Sequence, residues 1–168
     1  MLNPNAERII LGIDPGLATV GYGLIRFNGD TPEVIDYGTI LTPKSLDFSE
    51  RLLMIQRDLS LIVETHKPTE AFVEELFFSV NAKTAMSVAH ARGVIMSSLA
   101  SFGLHPRSLT PNQVKVGVTG HGAADKRQVQ DMLKLQFGLE SLPEPDDAAD
   151  ALAIALCGGM LAISSDIS

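Results

Sequence analysis

The sequence predicts an α/β domain built on a five-stranded mixed sheet, three antiparallel strands followed by two parallel ones, flanked by helices. Three observations lead there. Near the start, Arg8–Asp14 is an almost unbroken apolar run with the character of a strand buried on both faces. Two further β-rich runs follow at hairpin spacing, and beyond them helical periodicity alternates with short β-rich segments. The 168 residues, 45% hydrophobic and 20% charged, suit one domain over 1–168, with short flexible ends expected at about 1–6 and 164–168.

The first strand stops at Asp14-Pro15-Gly16, a turn signal, and its apolar character makes it the central strand. Residues 20–27 and 33–41 supply the next two, separated by Asn28-Gly29-Asp30, so the three form an antiparallel meander. Leu52, Ile55, Leu59 and Ile62 then recur at three and four residues after the candidate cap Ser49, and Lys67-Pro68 closes that helix. Residues 70–76 read as a short strand, 81–102 as a long helix ending near Gly103, and 105–109 as the fifth strand. Residues 117–124 hold three glycines and read as a flexible loop before a helix over 125–137. Pro143 and Pro145 announce a last helix reaching about Ile163. A right-handed crossover sets the strand ending at Glu74 beside, and parallel to, the one ending at Asp14.

Composition excludes several classes. Cys157 is the sole cysteine, so no internal disulfide forms, and no cationic segment leading into an apolar run and a small-residue cleavage site opens the chain. Both point to the cytoplasm. The longest apolar run, over 151–163, has 13 residues and two glycines, where a membrane span needs about 20, so no membrane is expected. The net charge of −7 is uneven: residues 76–134 carry seven basic side chains against two acids, +5, leaving −12 elsewhere. A local positive field can meet phosphate on an otherwise acidic protein, although a chance excess on a solvated surface accounts for the count equally well.

Four acids stand where the surrounding sequence is apolar or turn-forming: Asp14, Glu74, Asp147 and Asp150. Asp14 either caps the Asp-Pro-Gly turn or aims from a strand end into the crevice where α/β sheets bind ligands. Strand alternation sends Glu74 and Glu75 to opposite faces, so one of them can reach such a site. Asp147 and Asp150, three apart, share a helix face. The positive end of the helix accounts for Asp146 and Asp147. Asp150 lies a turn deeper among alanines and leucine, where an unpaired carboxylate costs on the order of several kcal/mol unless a cation compensates it. Clustered carboxylates suit hard divalent ions such as Mg²⁺ or Mn²⁺, while His66, His90, His105 and His121 are scattered and form no zinc pattern. Phosphate-loop, nucleophile-elbow and Cys-His-Asp signatures are missing, which disfavours nucleophilic side-chain catalysis.

In order along the chain, Leu-Gly-Ile-Asp-Pro-Gly (11–16) with Gly-Tyr-Gly (21–23), Val-Glu-Glu-Leu-Phe (73–77), Ala-Arg-Gly (91–93), Gln-Val-Lys (113–115) and Asp-Ala-Ala-Asp-Ala-Leu-Ala (147–153) closely resemble the RuvC family of bacterial Holliday junction resolvases. The likeness spans nearly the whole chain. It implies a ribonuclease H-like fold, a homodimer, and a metal-dependent endonuclease that nicks four-way DNA junctions symmetrically in recombination and repair. It makes Asp14, Glu74, Asp147 and Asp150 the catalytic ligands of two Mg²⁺ ions, with Mn²⁺ as a substitute. It sets Lys115 and Lys126 at the junction backbone, and Asn81, Arg92 and Arg127 among the DNA-binding residues. Phe77, just after the catalytic Glu, would stack on an opened base pair, with Phe78 as the alternative. The branch-migration proteins RuvA and RuvB are the implied partners.

Ala82, Ala85, Ala89, Gly93, Ser97 and Ala100 give the long helix a face of small residues, which admits either a second copy of the helix or the sheet of the same chain. Three rival readings share features with this one. The Gly-Ile-Asp-Pro-Gly run also resembles the phosphate hairpin of actin-like ATPases, but those need two such lobes and this length supplies one. An RNA nuclease of the YqgF type and a non-catalytic junction-binding module have the same fold.

Overall fold

Because Ile10, Leu11 and Ile13 bury their side chains completely, β1 (Arg8–Asp14) becomes the strand around which everything else is laid. In the computed structural model, which describes residues 7–76 and 82–166, it pairs antiparallel with β2 (Thr19–Asn28) and parallel with β4 (Glu70–Glu74). β3 (Thr31–Leu41) extends the antiparallel side and β5 (Arg107–Leu109) the parallel side, giving the order β3-β2-β1-β4-β5. This is the mixed sheet the sequence predicts. Gly29 sits in the β2–β3 turn at φ 61°, a left-handed conformation that glycine adopts without a Cβ penalty.

Strand alternation decides which helices each side chain meets. Ile10 of β1 and Phe72 of β4 pack beneath α3 (Pro111–Thr119), α4 (Lys126–Phe137) and α5 (Asp146–Asp166), with Val114, Leu133 and Leu152 among their neighbours. Leu11, Ile13, Ala71 and Val73 face the opposite layer, where α1 (Phe48–His66) and α2 (Ala82–Ser101) contribute Ile55, Leu59, Ile95 and Leu99. The same alternation puts Asp14 and Glu74 on the α5 side of two neighbouring strands. Among the described residues, no helix is long and apolar enough to cross a membrane.

α5 comes unusually close to the sheet. A Cβ on Gly12 would collide with the Ala151 carbonyl oxygen, one on Gly21 with that of Asp147, and one on Gly23 would lie 2.7 Å from the Leu152 nitrogen. The helix therefore rests on bare backbone of β1 and β2, a contact that only glycine permits at these positions.

Several boundaries differ from the sequence reading. The α1 cap is Asp47, whose N–H donates to Glu50 Oε2 at 2.9 Å, so Ser49 lies inside the helix. β4 ends at Glu74, β5 begins at Arg107, and α5 continues to Asp166. The largest correction is α3. Thr110 caps it by accepting from the Gln113 N–H, Gln113 bonds back to the Thr110 N–H, and Pro111 starts the first turn. Gly117, expected in a loop, is inside this helix, where a Cβ would meet the Cys157 Sγ at 2.5 Å, which excludes a larger residue.

Candidate active site

Asp14 ends β1 and Glu74 ends β4, and the parallel register, with Ile13 opposite Val73, makes them neighbours at one edge of the sheet. α5 begins at that edge. The Pro145 carbonyl accepts from the N–H groups of Ala148 and Ala149 at 2.9 and 3.2 Å, which starts the helix one residue before Asp147. Since α5 then crosses Gly12 and Gly21, Asp147 and Asp150 are carried to Asp14, and Gly21 is itself the antiparallel partner of Asp14. Glu75 is exposed, and its N–H donates to the Leu109 carbonyl, so Glu74 is the acid that faces the site.

Burial, reinforced by Glu74, Asp150 and Asp147, pushes the Asp14 carboxyl up to about 8. Burial and Asp150 push Glu74 up to about 7. Burial also raises Asp150, against the lowering effect of Lys126. The Lys126 Nζ lies 3.1 Å from Asp146 Oδ2 and 3.2 Å from Asp150 Oδ2, and Gln130 Nε2 donates to Asp146 Oδ1 at 3.1 Å. Burial alone would pull the Lys126 amine down, but the two carboxylates together raise it. The centre thus holds more negative charge than its own cation neutralises.

That imbalance bears on what the site could hold. Four carboxylates offer an all-oxygen donor set, three of them with ionisation opposed by burial, and this fits a hard divalent cation. Among the described residues no three or more His, Cys, Asp or Glu side chains stand close enough together to hold an ion as placed. Mutual repulsion and the draw of Lys126 on Asp150 give a physical reason for that spread.

A cleft of ≈ 230 Å³ joins the acids to the basic residues, with Glu74, Asp150, Lys115 and Lys126 on its wall beside Val114 and Val129. Both lysines named by the resemblance therefore reach the site. Arg127 does not line this cleft; it is 87% exposed and 3.9 Å from Asp131 one turn along α4. Arg92 is placed differently from the two lysines. Its half-buried guanidinium turns toward the sheet, Nε donating to the Glu74 carbonyl at 3.0 Å and Nη2 to Ser108 Oγ at 2.6 Å. Phe77, Phe78 and Asn81 lie outside the described residues. Sequence reasoning missed the Asp146–Gln130 contact with Lys126, for which the i,i+4 spacing of Lys126 and Gln130 was a faint signal. It also missed Lys44 and Arg51, which line a second, open cleft of ≈ 520 Å³ beside the turn after Asp14. Neither belongs to the basic stretch of the sequence.

Acids at adjoining ends of two parallel strands, with two more on the helix that closes over them, on a sheet of this order, define a nuclease of the ribonuclease H-like class. Comparison narrows the class. The family model for crossover junction endodeoxyribonuclease RuvC matches residues 10–158. The RuvC of Alkaliphilus oremlandii is 50% identical over 149 residues, 89% of this chain and 91% of that one. That of Syntrophomonas wolfei is 50% identical over 148 residues, covering 88% and 86%. The Thermus thermophilus RuvC, solved in complex with a Holliday junction substrate, matches with a TM-score of 0.90 at 30% identity, covering 94% of this chain and 96% of that one. A yeast mitochondrial Holliday junction resolvase shares the fold alone, with a TM-score of 0.65 at 14% identity over 88% and 76% of the two chains. The chain belongs to the RuvC family of crossover junction endodeoxyribonucleases.

Proposed function

We propose that this chain acts in the cytoplasm as a homodimer that resolves four-way DNA junctions in recombination and repair, by paired symmetric nicks leaving 5′-phosphate and 3′-hydroxyl ends. One observation carries the reading: Glu74 and Asp150, part of a half-buried acidic centre with Asp14, share a cleft wall with Lys115 and Lys126. Asp14, Glu74, Asp147 and Asp150 would hold two Mg²⁺ ions, with Mn²⁺ as a substitute. Such ions supply Lewis-acid activation of water and neutralise charge on the scissile phosphate. Asp14 and Glu74, held part-protonated near neutrality, give up their protons as the charge of the site is compensated. Lys115 and Lys126 draw the phosphate toward the acids, and the cleft geometry lets either of them steady negative charge as it develops. Arg127, Phe77 and Asn81 would add contacts to the junction outside that cleft.

A junction has near two-fold symmetry, so a two-fold dimer sets one centre at each exchanging strand. The outer face of α2, where Gly93, Ser97 and Ala100 are exposed, supports that interface. RuvA and RuvB, which move the branch point, would be its partners.

The test offers a synthetic four-way junction, a linear duplex and an RNA duplex to the protein with Mg²⁺, Mn²⁺ or chelator. Paired nicks in the junction alone, dependent on the ion, are expected. Asp14→Asn should bind the junction as wild type does and nick more than about 100-fold more slowly, as loss of a metal-holding group does. Nicking by that variant at the wild-type rate refutes the assignment, and preference for RNA replaces the substrate.

A further inference from the structure

Glu74 is the last residue of β4, and its main chain pairs only with the short strand β5. The β1–β4 ladder ends with Ile13 opposite Val73, one residue short of Glu74. On its other side Glu74 pairs with Leu109 of β5, a strand of three residues. Asp14, by contrast, stands opposite Gly21 in the long β1–β2 ladder. Repulsion from Asp150 acts on the Glu74 side chain at this strand end.

Arg92 reaches this point from α2. Its Nε donates to the Glu74 carbonyl at 3.0 Å and its Nη2 to Ser108 Oγ at 2.6 Å. Ser108 is the ladder partner of Val73, so one half-buried guanidinium spans the end of β4 and the strand beside it. A planar fork presents these two donors at a fixed angle, whereas an ammonium is a point charge on a flexible stem that cannot reproduce both bonds together. Core packing does not require an arginine here, because β4 and α2 are already joined through Val73, Ile95 and Leu99.

We propose that Arg92 is a positioning residue for junction nicking: by tying the Glu74 carbonyl to Ser108 it holds the Glu74 carboxylate at the acidic centre, and it does not contact DNA phosphate. The proposal rests on the nicking activity proposed above and deepens it.

The test compares Arg92→Gln, Arg92→Lys and Ser108→Ala with the full wild-type chain in two measurements. Fluorescence anisotropy in chelator gives the Kd of a labelled four-way junction at several salt concentrations, and single-turnover nicking at saturating enzyme gives the rate of the chemical step. Arg92→Gln is expected to nick about 100-fold more slowly, the loss that follows a displacement of roughly 1 Å in a reacting group. Its Kd and the slope of log K against log[salt] are expected to match wild type, a split that general loss of structure would not produce. Arg92→Lys recovers part of the rate. Ser108→Ala loses less than Arg92→Gln, and adds no further loss in the Arg92→Gln background.

A salt slope shallower by about 0.9, the signature of one lost phosphate contact, overturns the proposal in favour of DNA binding. Wild-type nicking by Arg92→Gln also overturns it. If Arg92→Gln fails to fold, Ser108→Ala decides: a slowed rate at unchanged Kd supports the assignment, and a wild-type rate overturns it. The wild-type control separates the two levels, since a chain that nicks no junction overturns the activity and the Arg92 role with it, whereas the outcomes above overturn the role alone.

Discussion

Asp14 combines three properties that seldom coincide in a carboxylate: it is largely buried, it ends a central strand, and three other acids act on it. Its carboxyl is raised to about 8, so from the ordinary carboxylate range up to that pH the folded chain keeps a proton that the unfolded chain has released. Stability is therefore full at low pH within this window and falls as pH rises toward about 8. Glu74, raised to about 7, acts in the same direction. Thermal melts of ion-free protein between about pH 5 and about pH 9 should show the melting temperature dropping, and Asp14→Asn should flatten most of that drop. An identical slope in the variant would assign the effect to other groups. Adding Mg²⁺ should raise the melting temperature most at the alkaline end, where the carboxylates are charged and uncompensated. At this scale the sequence was informative about identity, since Asp14 and Asp150 stand out against apolar surroundings. It could not tell that Arg92 turns toward Glu74, because its two partners lie 18 and 16 residues away, on β4 and β5.

Among the elements, α5 has the most influence on the site, and it owes its place to glycines on the strands beneath it. Gly12→Ala would thrust a methyl against the Ala151 carbonyl and the Ala155 nitrogen, both of them backbone atoms that cannot swing aside. Overpacking of this kind costs about 1–3 kcal/mol, so urea denaturation should show a matching loss with an unchanged slope. Because Asp147 and Asp150 ride on the displaced helix, nicking should fall further than the folded fraction does; a rate that merely tracks stability would separate α5 packing from site geometry. The sequence motif that contains these glycines was legible, but their use was not: Gly12, Gly21 and Gly23 look like flexibility until a helix is laid across them. α3 is the converse case. Its capping box, Thr110 with Gln113, and its leading Pro111 were present in the sequence, and Gly117 hid the helix by looking like a loop residue. What Gly117 answers to is the Cys157 side chain, 40 residues further along the chain.

For the whole molecule, the face of α2 that exposes Gly93, Ser97 and Ala100 is the candidate for contact with a second chain. Among the described residues nothing lies within 4 Å of a Cβ built on Gly93, and the position is exposed, so a side chain there can extend into solvent. Gly93→Leu should even favour the isolated helix, by up to about 1 kcal/mol of intrinsic propensity. In a dimer joined through this face it should block close approach. Sedimentation velocity is expected to show dimer for wild type at micromolar concentration and monomer for Gly93→Leu, with the melting temperature of the dilute variant unchanged or higher. A dimeric variant would move the interface elsewhere, and a monomeric wild type would remove it. The sequence by itself determined the order of the five strands, every helix but α3, and the family, and it singled out four acids as candidates, because hydrophobic periodicity and short motifs are properties of neighbouring residues. Only the tertiary structure decided that α5 lies on bare backbone, that Lys126 divides itself between Asp146 and Asp150, and that Arg92 faces inward. Each of those depends on atoms brought together from distant parts of the chain, where packing and desolvation set the energy and local pattern carries no record of the partner.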